Sequence, residues 1–219
     1  DYTGGGCGSL LLEKQSTNLF SYSEQFDNAA WTTNSGASVT ANTIISPDGT
    51  SNADTLEGNG TQTYIRVAEN ITVPTAGTYV LSIFAKAGTN NFLNINFEAY
   101  AGGVGTFSAN FDLINGTTPT SGASIEDYGN GWYRCISAPY TIVASDLNGN
   151  IVALATPSTS SVLFSTAADT NGKSLYLYGA MLEASASATE YIPTTTTAVS
   201  VGMLANVPRI DYTGGGCGK

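Results

Sequence analysis

Leu93-Asn94-Ile95-Asn96-Phe97-Glu98 decides the fold class, because apolar and polar residues alternate along the whole stretch. Successive side chains of a β-strand point to opposite faces. The apolar set is therefore predicted to face a core, and the polar set to face outward. Residues 107–113 repeat this pattern. No segment of helical length has an apolar period of 3.6 residues, so the sequence predicts an all-β chain.

Other strands are predicted from short runs rich in β-branched and aromatic residues. They fall at residues 18–23, 39–45, 53–56, 64–67, 78–86, 132–137, 151–155, 161–165 and 175–183. Clusters of Gly, Asn, Asp and Thr separate them, and turns are predicted at Asn115-Gly116, Asn130-Gly131, Asn148-Gly149 and Asn171-Gly172. Roughly a dozen short strands with this punctuation indicate an antiparallel sandwich or barrel. Trp31 and Trp132 are both predicted to be buried.

Composition limits the partners that this chain can have. Its 219 residues suit a single all-β domain, and only 11% of them are charged. The net charge is −10, with seven Lys and Arg residues, so we expect neither nucleic acid nor an anionic membrane as a partner. No apolar run approaches the roughly 20 residues of a membrane span. Neutral glycans, cations and other proteins remain, and the low charge is typical of extracellular and virion proteins.

One eight-residue sequence, Asp-Tyr-Thr-Gly-Gly-Gly-Cys-Gly, occurs at residues 1–8 and again at 211–218. Either the duplication arose in cloning, or it marks the junction of a tandem array. Cys7 and Cys217 lie in the two copies and could form a disulfide, within one chain or between neighbours, or simply mark the junction. Cys135 lies within a predicted strand and is predicted to be a buried free thiol.

Three segments are predicted from these features. Residues 1–17 form a junction or lead-in, residues 18–193 form the β-sandwich, and residues 194–219 form an extended, Thr-rich C-terminal arm that ends in the repeated junction. The apolar residues 199–204 are predicted to pair with the sheet edge of a neighbouring module, or to serve as a linker. On the first alternative, residues 199–213 are ordered by contact within a fibre or oligomer.

Several motifs resemble a β-sandwich module of phage tail proteins and large bacterial surface proteins. They are residues 18–32, the turn at 46–50 with Ala53-Asp54, residues 79–86, Gly131 to Cys135, Leu177 to Glu183 with Tyr191 to Thr194, and the lead-in sequences at both ends. The resemblance covers nearly the whole chain. It implies a jelly-roll sandwich similar to carbohydrate-binding modules and concanavalin-like lectin domains.

Catalysis is not expected. The chain contains no His, which excludes a Ser-His-Asp or Cys-His arrangement. A glycosidase would need two carboxyl groups on either side of the scissile bond. Candidates by position alone are Glu98, Asp112, Glu126, Asp127 and Glu183.

Glycan binding is predicted on the polar face of the strand at 93–98, because amides, carboxylates and an aromatic ring are the groups that hold sugars. The predicted residues are Asn94, Asn96, Glu98 and Tyr100, extended by Asn110 and Asp112, with Ser108, if the strand at 107–113 pairs with it. The alternative is the solvated side of a half-buried sheet.

A structural calcium ion is the one cofactor considered. Jelly-roll binding modules often carry Ca²⁺ near their first and last strands, and the resemblance therefore implies Glu24, Asp27 and Glu183 as ligands. Calcium prefers carboxylate and carbonyl oxygens.

The sequence therefore predicts a non-enzymatic module of a phage tail fibre or extracellular fibre. It would assemble through its ends with copies of itself or adjacent modules, and attach to cell-surface polysaccharide. The alternative is a carbohydrate-binding module joined to a polysaccharide-degrading enzyme.

Overall fold

The computed structural model describes residues 15–99 and 107–202. These residues form fourteen strands and one short 3₁₀ helix, Ala167–Thr170. The strands are β1 Ser16–Asn18, β2 Trp31–Thr33, β3 Ala37–Ile44, β4 Ala53–Gly58, β5 Ile65–Thr72, β6 Gly77–Ala87, β7 Phe92–Ala99, β8 Phe107–Asp112, β9 Ser124–Asp127, β10 Trp132–Ile136, β11 Tyr140–Ile142, β12 Asn148–Thr156, β13 Ser174–Glu183 and β14 Val199–Val201. No helix in this part of the chain has the length and hydropathy to cross a membrane.

Two antiparallel sheets face each other across one core. The larger has the order β3-β4-β13-β6-β10-β9, with β11 also paired to β6, and the smaller has the order β2-β5-β12-β7-β8. Leu93, Ile95 and Phe97 of β7 pack in the same cluster as Leu175 and Leu177 of β13. The predicted β-sandwich and the predicted inward face of residues 93–97 are therefore confirmed.

Two predicted strands are wrong. Residues 19–23 form no strand, because their backbone groups bond to distant segments: Tyr22 N–H donates to Thr195 O at 2.5 Å, and Ser23 O accepts from Ala180 N–H at 2.9 Å. Residues 161–165 contribute only an isolated bridge between Ser158 and Ser161. The sequence also gave no sign of β9 and β11, which are three or four residues long.

One predicted turn is wrong as well. Asn148 and Gly149 begin β12, and a Cβ at Gly149 would lie 2.6 Å from Glu98 O and 2.7 Å from the Phe97 ring. Glycine is therefore required there by close packing of neighbouring strands. The Asn130-Gly131 turn is confirmed, since both residues have positive φ, at 54° and 79°.

Both tryptophans are buried, as predicted, with exposed fractions of 6% for Trp31 and 2% for Trp132. They nevertheless lie in different places. Trp31 belongs to the core between the sheets, whereas Trp132 belongs to a second cluster with Ala53, Phe84 and Tyr178. Cys135 is a buried free thiol, as predicted, and burial raises its pKa. Cys7 and Cys217 lie outside the described residues.

The first and last described strands close the module on itself. β1 pairs with β14, so that Ser16 lies opposite Val201. Residues 199–201 therefore pair with β1 of the same chain. They neither pair with a neighbouring module nor form an unpaired linker, which were the two alternatives predicted from sequence. The remainder of the predicted 199–213 contact lies outside the described residues from 203 onward.

Buried polar side chains hold these two chain segments against β13. The Asn18 amide donates to Ala180 O at 2.9 Å and to Ile192 O at 2.8 Å. Its carbonyl oxygen accepts from Phe20 N–H at 3.2 Å and from Leu182 N–H at 3.3 Å. One side chain therefore satisfies backbone groups from three segments.

Replacing Asn18 by Ala should leave those four backbone groups without a partner. At about 1 kcal/mol for each, the free energy of unfolding should fall by on the order of 3–4 kcal/mol. Urea unfolding at pH 7 measures the change. The matched control is Thr17→Ala, because Thr17 makes an exposed bond to Ser200 and its loss should cost about 0.5 kcal/mol or less. Equal, small effects of the two changes would contradict this role of Asn18.

Glu69 is a buried carboxyl in β5 that is only half satisfied. Ser21 donates to its Oε1 through both N–H (3.2 Å) and hydroxyl (2.8 Å), while Oε2 is buried and unpartnered among the described residues. Burial raises the pKa of Glu69 from 4.5 to about 7, and the bonds from Ser21 offset only part of that effect. Ionisation is therefore easier in the unfolded chain, so stability is lost as the pH rises through this range.

Glu69→Gln should make stability less dependent on pH between about 4.5 and 7, because a neutral amide does not ionise. The difference in free energy of unfolding between Glu69→Gln and wild type should be more favourable to the variant at pH 8 than at pH 4.5, by on the order of 2–3 kcal/mol. Burial also raises the pKa of Asp54 to about 6, so some slope should remain. Urea unfolding at several pH values provides the measurement, with exposed Glu57→Gln as the control. An unchanged pH profile in Glu69→Gln would show that Glu69 ionises normally in the folded chain.

Candidate functional site

The outer face of the larger sheet carries two parallel rows of large side chains. In the first row Tyr178 lies opposite Phe84, Phe84 opposite Arg134, and Arg134 opposite Glu126. Two residues along each strand, the second row places Tyr176 opposite Lys86 and Lys86 opposite Trp132. At about 3.3 Å per residue, the rows lie roughly 7 Å apart. Side-chain alternation on three adjacent strands therefore builds an aromatic surface on the side away from the core.

Each row forms the floor of a cavity. The first cavity, of about 540 Å³, lies over the first row, and the second, of about 570 Å³, lies over the second row. Pro47 and Tyr128 line both cavities. The turn at 46–50 and the turn at 127–131 thus contribute side chains to both of these adjoining cavities, which together we call the aromatic groove.

The floor of the aromatic groove is fixed by packing and hydrogen bonds. The Trp132 indole N–H donates to Ile45 O at 3.0 Å, and Lys86 Nζ donates to Asn130 O at 2.7 Å. Phe84 makes ring contacts with Tyr178 at 5.8 Å and with Tyr191 at 5.6 Å. The floor is therefore preformed.

Glycine at position 179 is required for this arrangement. Gly179 has φ +56°, and a Cβ there would lie 2.9 Å from the Phe84 ring and 3.0 Å from the Tyr191 ring. The register of β13 against β6 shifts between Tyr178 and Met181, which is a β-bulge. The bulge brings Tyr191 close over the first row and so forms one wall of the first cavity.

Arg134 is a buried cation in the floor of the first cavity. It is 4% exposed, donates from Nη2 to Ser82 Oγ at 3.0 Å, and lies 5.7 Å from the Phe84 ring centroid. Its Nε has no hydrogen-bond partner among the described residues. The one ion pair within the described ranges joins Arg66 and Glu98 on the other sheet. Arg134 therefore places positive charge beneath the groove without a paired carboxylate there.

Two tyrosine hydroxyls converge on a carboxylate at the end of the first cavity. Glu24 Oε1 accepts from Tyr178 at 2.8 Å and from Tyr191 at 3.2 Å, and Tyr178 also lies 3.1 Å from Asp48 Oδ2. Burial and the bond to Glu24 raise the pKa of Tyr178. Burial also acts to raise the pKa of Asp48, but the hydrogen bonds from Ser46, Thr50 and Tyr178 outweigh it and lower the pKa to about 2. Asp48 is therefore ionised throughout the neutral range.

The glycan-binding residues predicted from sequence lie on the other sheet. β7 pairs with β8 so that Asn94 is opposite Asn110, and the predicted polar face is formed. Asn94 is fully buried, however, and its amide donates to Ser108 Oγ at 2.7 Å and Asn110 Oδ1 at 2.9 Å. The donors of Asn94 are therefore used within the sheet, and its contact with a sugar stays a prediction.

Most of the other residues predicted to bind glycan also have partners within the protein. Asn96 donates to Asn94 Oδ1 at 3.0 Å, and Glu98 pairs with Arg66 at 3.4 Å. Asp112 accepts from Ile114 N–H and from the backbone and side chain of Asn115, which closes a turn. Burial acts to raise the pKa of Asp112, but these hydrogen bonds outweigh burial and lower the pKa. Tyr100 lies outside the described residues.

The predicted calcium ligands are not brought together. Glu24 is bound by the two tyrosines, whereas Glu183 is buried in β13 and accepts from Ser16 Oγ at 2.7 Å and Thr189 N–H at 2.8 Å. Residues 15–99 and 107–202 contain no group of three or more His, Cys, Asp or Glu side chains that could hold a metal ion, and Asp27 therefore belongs to no such group. Glu183 instead links β13 to the start of β1 and to Thr189 through these bonds.

Comparison with known proteins identifies the fold. No protein-family model matches the sequence, and no curated protein matches it. Among solved structures, the tandem CBM22-1–CBM22-2 domain of Paenibacillus barcinonensis Xyn10C is 14% identical, with a TM-score of 0.50 over 77% of this chain and 50% of that one. The enzymatically active domain of bacteriophage CBA120 tailspike protein 4 is 14% identical, with a TM-score of 0.47 over 75% of this chain and 21% of that one. TmCBM61, solved with β-1,4-galactotriose, is 11% identical, with a TM-score of 0.46 over 75% of this chain and 97% of that one.

This chain thus spans about a fifth of the tailspike domain and half of the tandem module. At such identities the likeness concerns the fold alone. The chain has the jelly-roll β-sandwich fold that carbohydrate-binding modules share, as the sequence resemblance implied.

Proposed function

We propose that this chain is a non-enzymatic glycan-binding module and that it holds sugar in the aromatic groove. The observation that carries the proposal is the pair of cross-strand rows under two adjoining cavities. Preformed concave sites with aromatic linings and a few polar groups are the usual form of small-ligand sites. The structural neighbours support the ligand class, because several are carbohydrate-binding modules.

The groove offers the two kinds of contact that a sugar requires. Tyr128, Tyr176 and Tyr191 present ring surface that is at least partly exposed, and can cover the apolar face of a pyranose. Glu126 and Glu190 are exposed carboxylates on the rim of the first cavity. Carboxylate oxygens accept strong hydrogen bonds, so they suit pairs of sugar hydroxyl groups.

The charge of the lining favours uncharged glycans. Asp48, Glu126 and Glu190 line the first cavity with a single cation, Arg134. An anionic polysaccharide would meet this excess of negative charge as well as the net charge of −10. Arg134 is then a buried donor and a partial counter-charge to the acids above it.

The acids of the groove are poorly suited to glycoside hydrolysis. That reaction needs one carboxyl group whose pKa is raised, so that it can donate a proton. Asp48 has the opposite property, with a pKa lowered to about 2. The carboxyls with raised pKa, Asp54 and Glu69, are buried and do not line either cavity. These facts support binding without catalysis.

We further propose that the module belongs to a phage tail fibre or another extracellular fibre and assembles with copies of itself or with adjacent modules. The repeated sequence at 1–8 and 211–218 supports an array. A carbohydrate-binding module joined to a polysaccharide-degrading enzyme is the alternative, and the sequence that flanks the module in its natural gene would distinguish the two.

A glycan array followed by calorimetry tests the binding proposal. We expect binding to one or more uncharged oligosaccharides, and no release of reducing sugar from the corresponding polysaccharide. Glu126→Gln should weaken binding about tenfold, because one charge-assisted hydrogen bond is lost.

The matched control is Glu98→Gln, which changes a carboxylate of the face that the sequence had indicated. It should leave affinity unchanged. Weakening by Glu98→Gln but not by Glu126→Gln would move the site to the smaller sheet. Release of reducing sugar that is lost in Glu126→Gln would show that the module is an enzyme.

A further inference from the structure

Tyr128 lies on the boundary between the two cavities and lines both of them. Its ring meets Phe84 edge to face, with centroids 4.8 Å apart and an interplanar angle of 87°. Its backbone N–H donates to Trp132 O at 2.9 Å. Although it is held from below in this way, the side chain is still 47% exposed. Tyr128 is therefore a positioned aromatic platform on the path from one cavity to the other.

The two cavities differ in the polar groups that they offer. The first is lined by Asp48, Glu126, Glu190 and Arg134. In the second, the Trp132 indole N–H and Lys86 Nζ already donate to backbone carbonyls, of Ile45 and Asn130. The second cavity therefore offers mainly the ring surface of Tyr176 and Tyr128, whose contribution is apolar contact, above the buried Trp132.

We infer that the two cavities are successive subsites for one glycan chain, and that Tyr128, over which the chain passes, determines the length of chain that is recognised. This inference rests on the proposed glycan-binding function of the groove. The first cavity orients the chain through hydrogen bonds. The second adds affinity only to a chain that is already anchored in the first and long enough to cross Tyr128.

A ladder of oligosaccharides tests this inference. The probes are β-1,4-linked oligomers of glucose, xylose and galactose, from two to six units, and calorimetry with the full chain gives the affinities. In the best-bound series, affinity should rise by about tenfold at the length that first crosses Tyr128, since one aromatic platform is added.

Tyr176 lines only the second cavity, so Tyr176→Ala should remove this increment and leave the affinity of the shortest binding oligomer within about twofold of wild type. Tyr128 also lines the first cavity, so Tyr128→Ala should weaken binding at every length and weaken it most for the longer oligomers. Tyr64→Ala, a half-buried tyrosine beside the smaller sheet, is the matched control and should preserve the increment. Circular dichroism and urea unfolding show whether each variant is folded before its affinities are compared.

The outcomes separate the inference from the proposed function. Binding that is independent of chain length, or an equal loss at all lengths in Tyr128→Ala, would overturn the two-subsite inference and leave glycan binding standing. If no oligomer of the three series binds, the proposed function fails for these sugars and the inference fails with it.

Discussion

The two central strands of the larger sheet carry buried side chains on both faces, and the rest of the structure depends on this constraint. β6 is buried at seven of its eleven residues and β13 at nine of its ten, with seven successive buried residues in each. One face packs into the core between the sheets, and the other carries Phe84, Tyr178 and Trp132. Antiparallel sheets more commonly leave one face in water. Here the aromatic layer on the outer face needs cover, and the turns at 46–50 and 127–131 together with residues 188–191 provide it only in part. The uncovered remainder is the aromatic groove.

The segment at residues 18–24 and the groove are linked through the bulge in β13. Because the bulge interrupts the pairing with β6, the polar groups of Ala180 are free to bond elsewhere: its N–H donates to Ser23 O and its carbonyl accepts from Asn18. The same N-terminal segment holds Tyr191, whose hydroxyl lies 2.7 Å from Ser23 Oγ. One wall of the aromatic groove therefore depends on the docking of residues 18–24, which lie far away in sequence.

The fold was predictable because the strands of the smaller sheet alternate clearly. Leu93, Ile95 and Phe97 gave a readable inward face, and residues 107–113 gave a second one. The polar side chains on that sheet led to a predicted glycan site. Asn94 and Asn110 have side-chain amides of the kind that bind sugars, but they lie opposite each other on paired strands, and the Asn94 amide donates to Asn110 Oδ1. Sequence alone does not show whether adjacent amides bind each other or a ligand.

The burial of β6 and β13 on both faces creates the aromatic groove, and it also makes the groove difficult to predict from sequence. A strand that is buried on both faces has a continuous apolar sequence. Residues 175–183 are therefore predicted as a core strand, and the alternation of Tyr176 and Tyr178 with Leu175 and Leu177 does not by itself indicate a second aromatic face. Trp132 was correctly predicted as buried, although it lies on the opposite side of the sheet from the core. The usable signal was the spacing of aromatic residues by two, but it becomes a site only when β13, β6 and β10 are known to be neighbours.

The two indole N–H groups of the chain provide the most direct test of the central claim, that sugar binds on the outer face of the larger sheet. Trp132 Nε1 donates to Ile45 O beside the second cavity, and Trp31 Nε1 donates to Tyr22 O beside the core. Their NMR signals can be followed while a glycan of six units is added. If sugar binds on this face, the Trp132 signal shifts with saturation and the Trp31 signal does not. A stationary Trp132 signal, with shifts in the side-chain amides of Asn96 and Asn110, would place the ligand on the smaller sheet and exclude the aromatic groove as its site.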